Sequence, residues 1–490
     1  MHILDMDAAE TARRIREGTL SASDAVEGYI CHLNQIHPVI NAMVEDRFDL
    51  ARQEAKWADE QIRSGIAKGR LHGVPISVKE CFHVKGMKTT SGVSQRKDDV
   101  AQEDADVVAR LRQEGAIILG KTNTPAFCFC QETDNLLYGR TNNPWNPART
   151  AGGSSGGEGA LIAAGGAAVG IGADIGGSIR FPSHFNGIVG FKSGSGQVSD
   201  HGNYPPVVIP EQHRMLGIGA MAKSVRDVRL IHEIIANTVP AKKQLSSFIM
   251  VIPEKQPQIP LGKAAETHLN TLRQSMAAAY TVETGMPPFF KEAALIWQEI
   301  MSIDGGQELM NMLSYKHPVR LFKDLVQSKW FNTSEVHPYL SWALIGARLF
   351  RPSQNRMREI QLHLQRGDQA LNEFFEQRIA ILPVYHSAAP VHGRLYKEIF
   401  SVRKTYLKYM PYVAYANTWG LPALTIPVGE DEEGLPVGVQ LISKNGNEEA
   451  LFQLGEWIEQ HFRGYRRCTL HDRSDKPMPA DIQHRGGGLG

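Results

Sequence analysis

The rhythm of apolar and polar positions changes several times along this chain. Near the start, Ala25, Ile30, Leu33 and Ile36 recur at roughly helical spacing behind Ser21-x-x-Asp24, which resembles a capping box. A second helical run covers about Asp49 to Arg63 and ends near Gly65. The texture then becomes strand-like. His72 to Lys79 is a short apolar run ending in a lysine, Asp106 to Glu114 reads as a helix, and Ala116 to Gly120 reads as a buried strand. Strand, helix and strand in that order are the grammar of an α/β sheet. Between Gly152 and Gly196, 15 of 45 residues are glycine, interleaved with Leu161, Ile162, Val169, Ile171, Ile175 and Ile188. Glycine this dense in apolar company means backbone that packs closely or takes positive φ, not a floppy linker. The predicted order there is loop, helix (about 158–165), strand (167–172), tight loop and strand (188–192). Beyond residue 240 the pattern turns helical, with candidates at 264–279, 291–302 and 356–378. Strands follow at 379–384, 423–428 and 437–442, the last two as a hairpin-like pair, and a closing helix at 448–461.

Composition narrows the class. The chain has 490 residues, 42% hydrophobic and 21% charged, which suits a globular protein. Lys plus Arg number 53 against 52 for Asp plus Glu, a net charge of +1, so no cation excess points to nucleic acid as a partner. Cys31, Cys81, Cys128, Cys130 and Cys468 are odd in number and scattered, unlike a secreted disulfide framework. Cys128-x-Cys130 has no second pair at metal-ligand spacing. The first residues lack an apolar signal-peptide core, and the uncharged stretch Gly159 to Ala173 is too short to span a bilayer. A soluble, cytoplasmic protein is the expectation.

The candidate chemistry lies in the glycine-rich stretch. Ala151 to Gly159 (AGGSSGGEG) lacks the lysine of a phosphate loop and the G-x-S-x-G elbow of α/β-hydrolases. Ser178 follows Ser154 by 24 residues and stands directly behind Gly176-Gly177. Backbone N–H groups beside such a serine can line a pocket for a developing oxyanion. The serine needs a base. His184 is near, but no acid is placed to orient it. A buried lysine can serve if it is uncharged. Moving its pKa from the reference value of about 10.4 to about 7 costs roughly 4–5 kcal/mol. Lys79, at the end of an apolar strand, has a suitable context, although alone it reads as an ordinary strand-end lysine on the surface.

Taken together, these phrases resemble the amidase signature family: Gly-Gly-Ser-Ser-Gly-Gly (152–157), Asp-x-Gly-Gly-Ser-Ile-Arg-x-Pro (174–182) and the upstream Gly-x-Pro-x-x-x-Lys (73–79). Asn143-Pro144-Trp145-Asn146-Pro147, Asn186 to Lys192, Gly420 to Ala423 and Gly434 to Leu441 agree with it. The likeness is strong over about 70–230, looser over 1–70 and 405–465, and weak between. It implies an α/β fold with a large central mixed twisted sheet covered by helices on both faces and a helical cap insertion. The chain then divides into a helical segment (1–70), a core (71–240), a cap lining the substrate pocket (241–375), core-completing strands and helices (376–470) and a flexible tail (471–490).

Residue by residue, the resemblance implies Ser178 as nucleophile, Ser154 as bridge, often in a cis peptide, and uncharged Lys79 as base. The N–H groups of Ile175, Gly176, Gly177 and Ser178 would form the oxyanion hole. Cys128, Phe129 and Gln131 would line the acyl side of the pocket, with core packing as the plain alternative. Ser155 is assigned to the loop's hydrogen bonds, and Asp174 and Arg180 to tying the loop in place. No metal or cofactor is implied. The implied partner is a small-molecule amide, without nucleic acid or integral membrane contact, and a homodimer is left open. Glu158, Phe181-Pro182 and Tyr138 to Pro144 resemble the fatty-acid-amide-hydrolase-like branch and related bacterial amidases. The chain departs from the family at Ser193-Gly194, Gln197 and Ala126, where proline with serine or threonine, arginine and glutamate are usual. These flank the site and bear on its pocket shape.

Three functions follow for test: a stand-alone serine amidase, extending to aryl esters or carbamates; the glutamine-hydrolysing A-type subunit of a tRNA-dependent amidotransferase; and a noncatalytic anion-binding protein. Apolar clusters at Trp330-Phe331, Leu340 to Ile345 and Leu349-Phe350 are candidates to receive an acyl or aryl group. The basic-aromatic stretch Lys316 to Lys329 is a candidate membrane contact.

Overall fold

Eleven strands hydrogen-bond into one sheet, because the apolar runs in the sequence are short, β-branched and flanked by turn residues. The computed structural model describes residues 2–238, 242–254, 259–313, 323, 336–401 and 403–472. In chain order the strands are β1 (Met43–Asp46), β2 (Pro75–Lys79), β3 (Ile117–Thr122), the small pair β4 (Asn142–Asn143) and β5 (Asn146–Thr150), β6 (Val169–Asp174), β7 (Val189–Lys192), β8 (Gly217–Ala222), β9 (Ile249–Ile252), β10 (Val282–Thr284), β11 (Arg378–Pro383), β12 (Ala423–Glu430) and β13 (Pro436–Ile442). Across the main sheet the order is β1-β3-β2-β6-β8-β7-β12-β13-β11-β9-β10. The sheet is mixed: β2 runs parallel to β3 and β6, and β9 parallel to β10 and β11, whereas the central pairs are antiparallel.

Helices flank the sheet, and alternate strand residues enter different cores. Along β11, Ile379 and Ile381 join one apolar cluster while Ala380 and Leu382 join another. Burial on both faces explains why β2, β3, β6, β7, β8 and β13 are buried at every position and show little polar alternation. Ser21 accepts from the Asp24 N–H at 2.9 Å and caps the helix Ala22–Ile40, a contact worth about 1 kcal/mol. The hairpin-like reading of the last strands holds, with Ala423 opposite Ile442 and Glu430 opposite Pro436.

Two regions depart from the all-helical reading. Segment 1–70 contributes β1, which pairs with β3 at one edge. Segment 241–375 begins with β9 and β10, which complete the other edge beside β11. Its helices Lys263–Ala277, Phe290–Met301, Gln307–Met312, Pro338–Leu349 and Gln354–Phe374 follow or flank those strands. Four- and three-residue strands carry too little periodicity to stand out beside helices of 12 to 21 residues. Trp330-Phe331, nearly all of Lys316 to Lys329 and the tail from Ser474 lie outside the described residues. Among the described residues, no helix is long and apolar enough to cross a membrane.

Candidate active site

The C-terminal end of β2 sets the first functional group. Lys79 closes that strand at 0% exposure, and its Nζ donates to Ser154 Oγ at 2.7 Å. Ser154 stands in the loop that enters the helix Gly156–Ala163, and the Gly153–Ser154 peptide is cis. The Ser155 N–H donates to the Ser178 carbonyl at 3.1 Å, joining the two serine loops through the backbone. Ser155 Oγ itself has no partner among the described residues, so the part expected of it falls to its main chain.

The second loop leaves the end of β6. Gly177 adopts φ +94°, and a Cβ there would come within 2.5 Å of Val413 Cγ1, so only glycine makes this turn beneath Ser178. Asp174 fastens it. Its Oδ1 accepts from the Gly177 N–H at 2.8 Å and its Oδ2 from the Ile179 N–H at 3.1 Å. Burial alone would raise this carboxyl. The Arg180 guanidinium, the charge of Lys192 and a hydrogen bond from Asn417 hold it well below the usual range. Arg180, equally buried, pairs with Asp174 at 3.0 Å and donates to the Val413 carbonyl and to Gln440 Oε1. The pair ties the glycine loop, as the sequence reading favoured.

That bracing distinguishes one of the four expected donors from the rest. The Gly177 N–H is committed to Asp174, whereas the N–H groups of Ile175, Gly176 and Ser178 have no intramolecular acceptor among the described residues. Two carbonyls of this loop are held from afar: that of Ile175, on the peptide that carries the Gly176 N–H, and that of Gly176, on the peptide that carries the Gly177 N–H. Trp297 Nε1 donates to the Ile175 carbonyl at 2.7 Å and Gln131 Nε2 to the Gly176 carbonyl at 3.2 Å. Gln131 is therefore a support behind the loop, and it is not among the residues lining the cavity.

Lys79, Ser154, Ser178, Ile175, Cys128 and Phe129 face one cavity of about 870 Å³, including its open mouth. Phe127, Tyr204, Leu309, Met312 and Leu344 supply an apolar wall that the sequence reading did not assemble. Of its apolar clusters, Leu344 reaches this wall, while Trp342 and Phe350 line an adjoining apolar pocket with Trp297 and Tyr406. Phe129 and Ala347 border both spaces. Phe127 and Cys128 hold positive φ, a backbone signature that no local sequence signal announced. His184 is elsewhere: Nδ1 accepts from the Gly438 N–H at 2.9 Å, Nε2 meets the Ser387 carbonyl, and burial pushes its pKa down to about 4.

The family model described as Amidase matches residues 24–452. The chain belongs to the amidase family. Like other members, it is a hydrolase of carbon–nitrogen amide bonds. It is 31% identical to fatty-acid amide hydrolase 2-A of Danio rerio, over 95% of this chain and 90% of that one. It is 30% identical to indoleacetamide hydrolase of Bradyrhizobium diazoefficiens, over 92% and 86% respectively. Among solved structures, one reported as a crystal structure of amidase superposes with a TM-score of 0.79 at 26% identity, covering 94% of this chain and all of that one. Family membership accounts for the sheet and the paired serine loops together, since the match spans both sides of the 241–375 segment.

Proposed function

We propose that this amidase cleaves a carboxylic amide through an acyl-enzyme on Ser178, with Lys79 and Ser154 as its proton relay. The supporting observation is the 2.7 Å contact between Lys79 Nζ and Ser154 Oγ at a buried strand end, facing the same cavity as Ser178. Ser178 Oγ attacks the carbonyl carbon. Its proton passes through the Ser154 hydroxyl to the Lys79 amine, which the role requires in its uncharged form. The N–H groups of Ile175, Gly176 and Ser178 receive the oxyanion; Trp297 fixes the peptide that carries the Gly176 N–H, while Gln131 and Asp174 clamp the neighbouring Gly176–Gly177 peptide from its two sides. The tetrahedral species collapses as the relay returns the proton to the leaving nitrogen. Water then enters, loses a proton to the same relay, and releases the acid from Ser178.

The wall favours an apolar or aryl acyl group, since burying such a group is worth about 25 cal/mol per Å². The names of the two relatives, a fatty-acid amide hydrolase and an indoleacetamide hydrolase, point the same way. Among the described lining residues Lys79, committed to the relay, is the sole basic side chain, beside the acids Asp304 and Glu308. No arginine there is offered to the α-carboxylate of free glutamine, which weighs against the amidotransferase reading. Assay of the purified chain against aryl-acyl and alkyl-acyl amides, matched esters and carbamates, and glutamine tests this. Amide turnover without partner or tRNA, lost in Ser178→Ala, is the expected result. Glutaminase activity that arises only with partner subunits and tRNA would overturn it.

A further inference from the structure

Glu158 is a buried carboxyl that the relay does not use. It lies in the first turn of the helix that begins just after Ser154 and is 0% exposed. Its Oε2 accepts from Ser77 Oγ at 2.5 Å and its Oε1 from Thr122 Oγ1 at 2.9 Å. Ser77 precedes Lys79 by two positions on β2, so both side chains rise from the same face of the sheet. Thr122 is the register partner of Lys79 on β3. On the other flank Gly170 of β6 pairs with Ser77, and a Cβ there would come within 2.0 Å of Glu158 Oε2. Three strands thus leave a slot for one carboxyl beside the base. Among described residues, no cation forms an ion pair with it at 4.0 Å or less.

Resting on the relay reading above, we infer that Glu158 is a positioning residue for Lys79: it pins the Ser154 helix to the two strands beneath the amine and governs the pH at which that amine is free to act. The surroundings make the charge effect specific. Burial pushes the Glu158 carboxyl up to about 7, against lowering by Ser77, Thr122 and the charge of Lys79. From β2, Lys79 is the one charged group that acts on it; β3 presents the neutral Thr122, and Lys121 is turned to the Lys88 carbonyl and Thr89; β6 presents Gly170. The other titratable side chains that feel Lys79 are Cys81 and Cys128, which a change at Glu158 leaves in place. A negative charge at Glu158 favours the charged form of a neighbouring amine and so works against the relay.

The test is the pH profile of kcat/KM for the full chain on an aryl amide. Fluorophosphonate titration of reactive serine normalises for folded enzyme. Glu158→Gln keeps the size and both hydroxyl contacts, with one hydroxyl turned to accept from the amide N–H, but removes the charge, so the acid-side limb moves down by about one pH unit. Ser77→Ala strips one donor from the carboxylate, disfavours its charged form and moves the limb the same way by a smaller step. A limb that stays put in Glu158→Gln, or in Ser77→Ala where Glu158→Gln does not fold, overturns the inference; a purely structural role lowers amplitude or Tm without moving it. Lys79→Ala separates the two layers. If that variant keeps wild-type turnover, the relay reading fails; if it is inactive and the Glu158→Gln limb is unmoved, only the role of Glu158 fails.

Discussion

The two serine loops and the cavity wall facing them are built on opposite principles. In the loops, from Gly152 to Arg180, directed hydrogen bonds hold the backbone: Asp174 takes three backbone N–H groups and the Arg180 guanidinium, and Asn417 bridges Asp174 to the Met215 carbonyl. The wall instead draws apolar side chains such as Phe127, Tyr204, Leu309 and Leu344 from segments far apart in the chain. Hydrogen bonds are directional and costly to leave unmade, so the loops have one geometry. Apolar contacts are nondirectional, so the wall tolerates change in shape. On the proposed mechanism, chemistry belongs to the first region and substrate choice to the second.

Mutations can break or sharpen that contrast. The largest effect is expected at the base. Lys79→Ala should lower kcat by about a thousandfold or more, with Tm little changed, as steady-state kinetics and thermal unfolding would report. Asp174→Asn comes next. It removes the charge that compensates buried Arg180 and should cost about 3–5 kcal/mol in urea unfolding at neutral pH. The sign with pH follows from the lowered carboxyl. Its stabilisation is fully present above the unfolded value of about 3.9 and is lost as pH falls through the folded value, so the gap between variant and wild type should narrow in strong acid.

Smaller effects should divide along the same line. Trp297→Phe keeps an aromatic ring but deletes the donor to the Ile175 carbonyl, so kcat should fall about tenfold with KM little altered. Leu344→Ala should do the reverse, raising KM for aryl-acyl amides about tenfold and sparing kcat, with little change for acetyl amides. A Leu344→Ala variant that lowers kcat alone would blur the division between the two regions.

The same contrast explains what was legible in the sequence. The serine loops are close in the chain, with one helix and one strand between Ser154 and Ser178, and the structure brings Lys79, 75 residues before Ser154, to the same cavity. Gln131 is in the expected neighbourhood with its Nε2 turned to the Gly176 carbonyl, and a spacing does not say which face of a loop a side chain reaches. Asp174 curls back onto the Gly177 N–H, a turn that composition does not reveal. Trp297 and Tyr204 carried no motif at all; they reach the site only through the fold of helix Phe290–Met301 and the loop near residue 204. At the sheet edges, β1, β9 and β10 escaped notice for want of length.

Peptide mapping after brief fluorophosphonate exposure, run in parallel on wild type and on Lys79→Ala, tests the central claim most directly. The account predicts a single adduct on the peptide carrying Ser178, formed at least a hundredfold more slowly without the lysine. An adduct on another serine, or labelling of Ser178 at the same rate in both proteins, would contradict it.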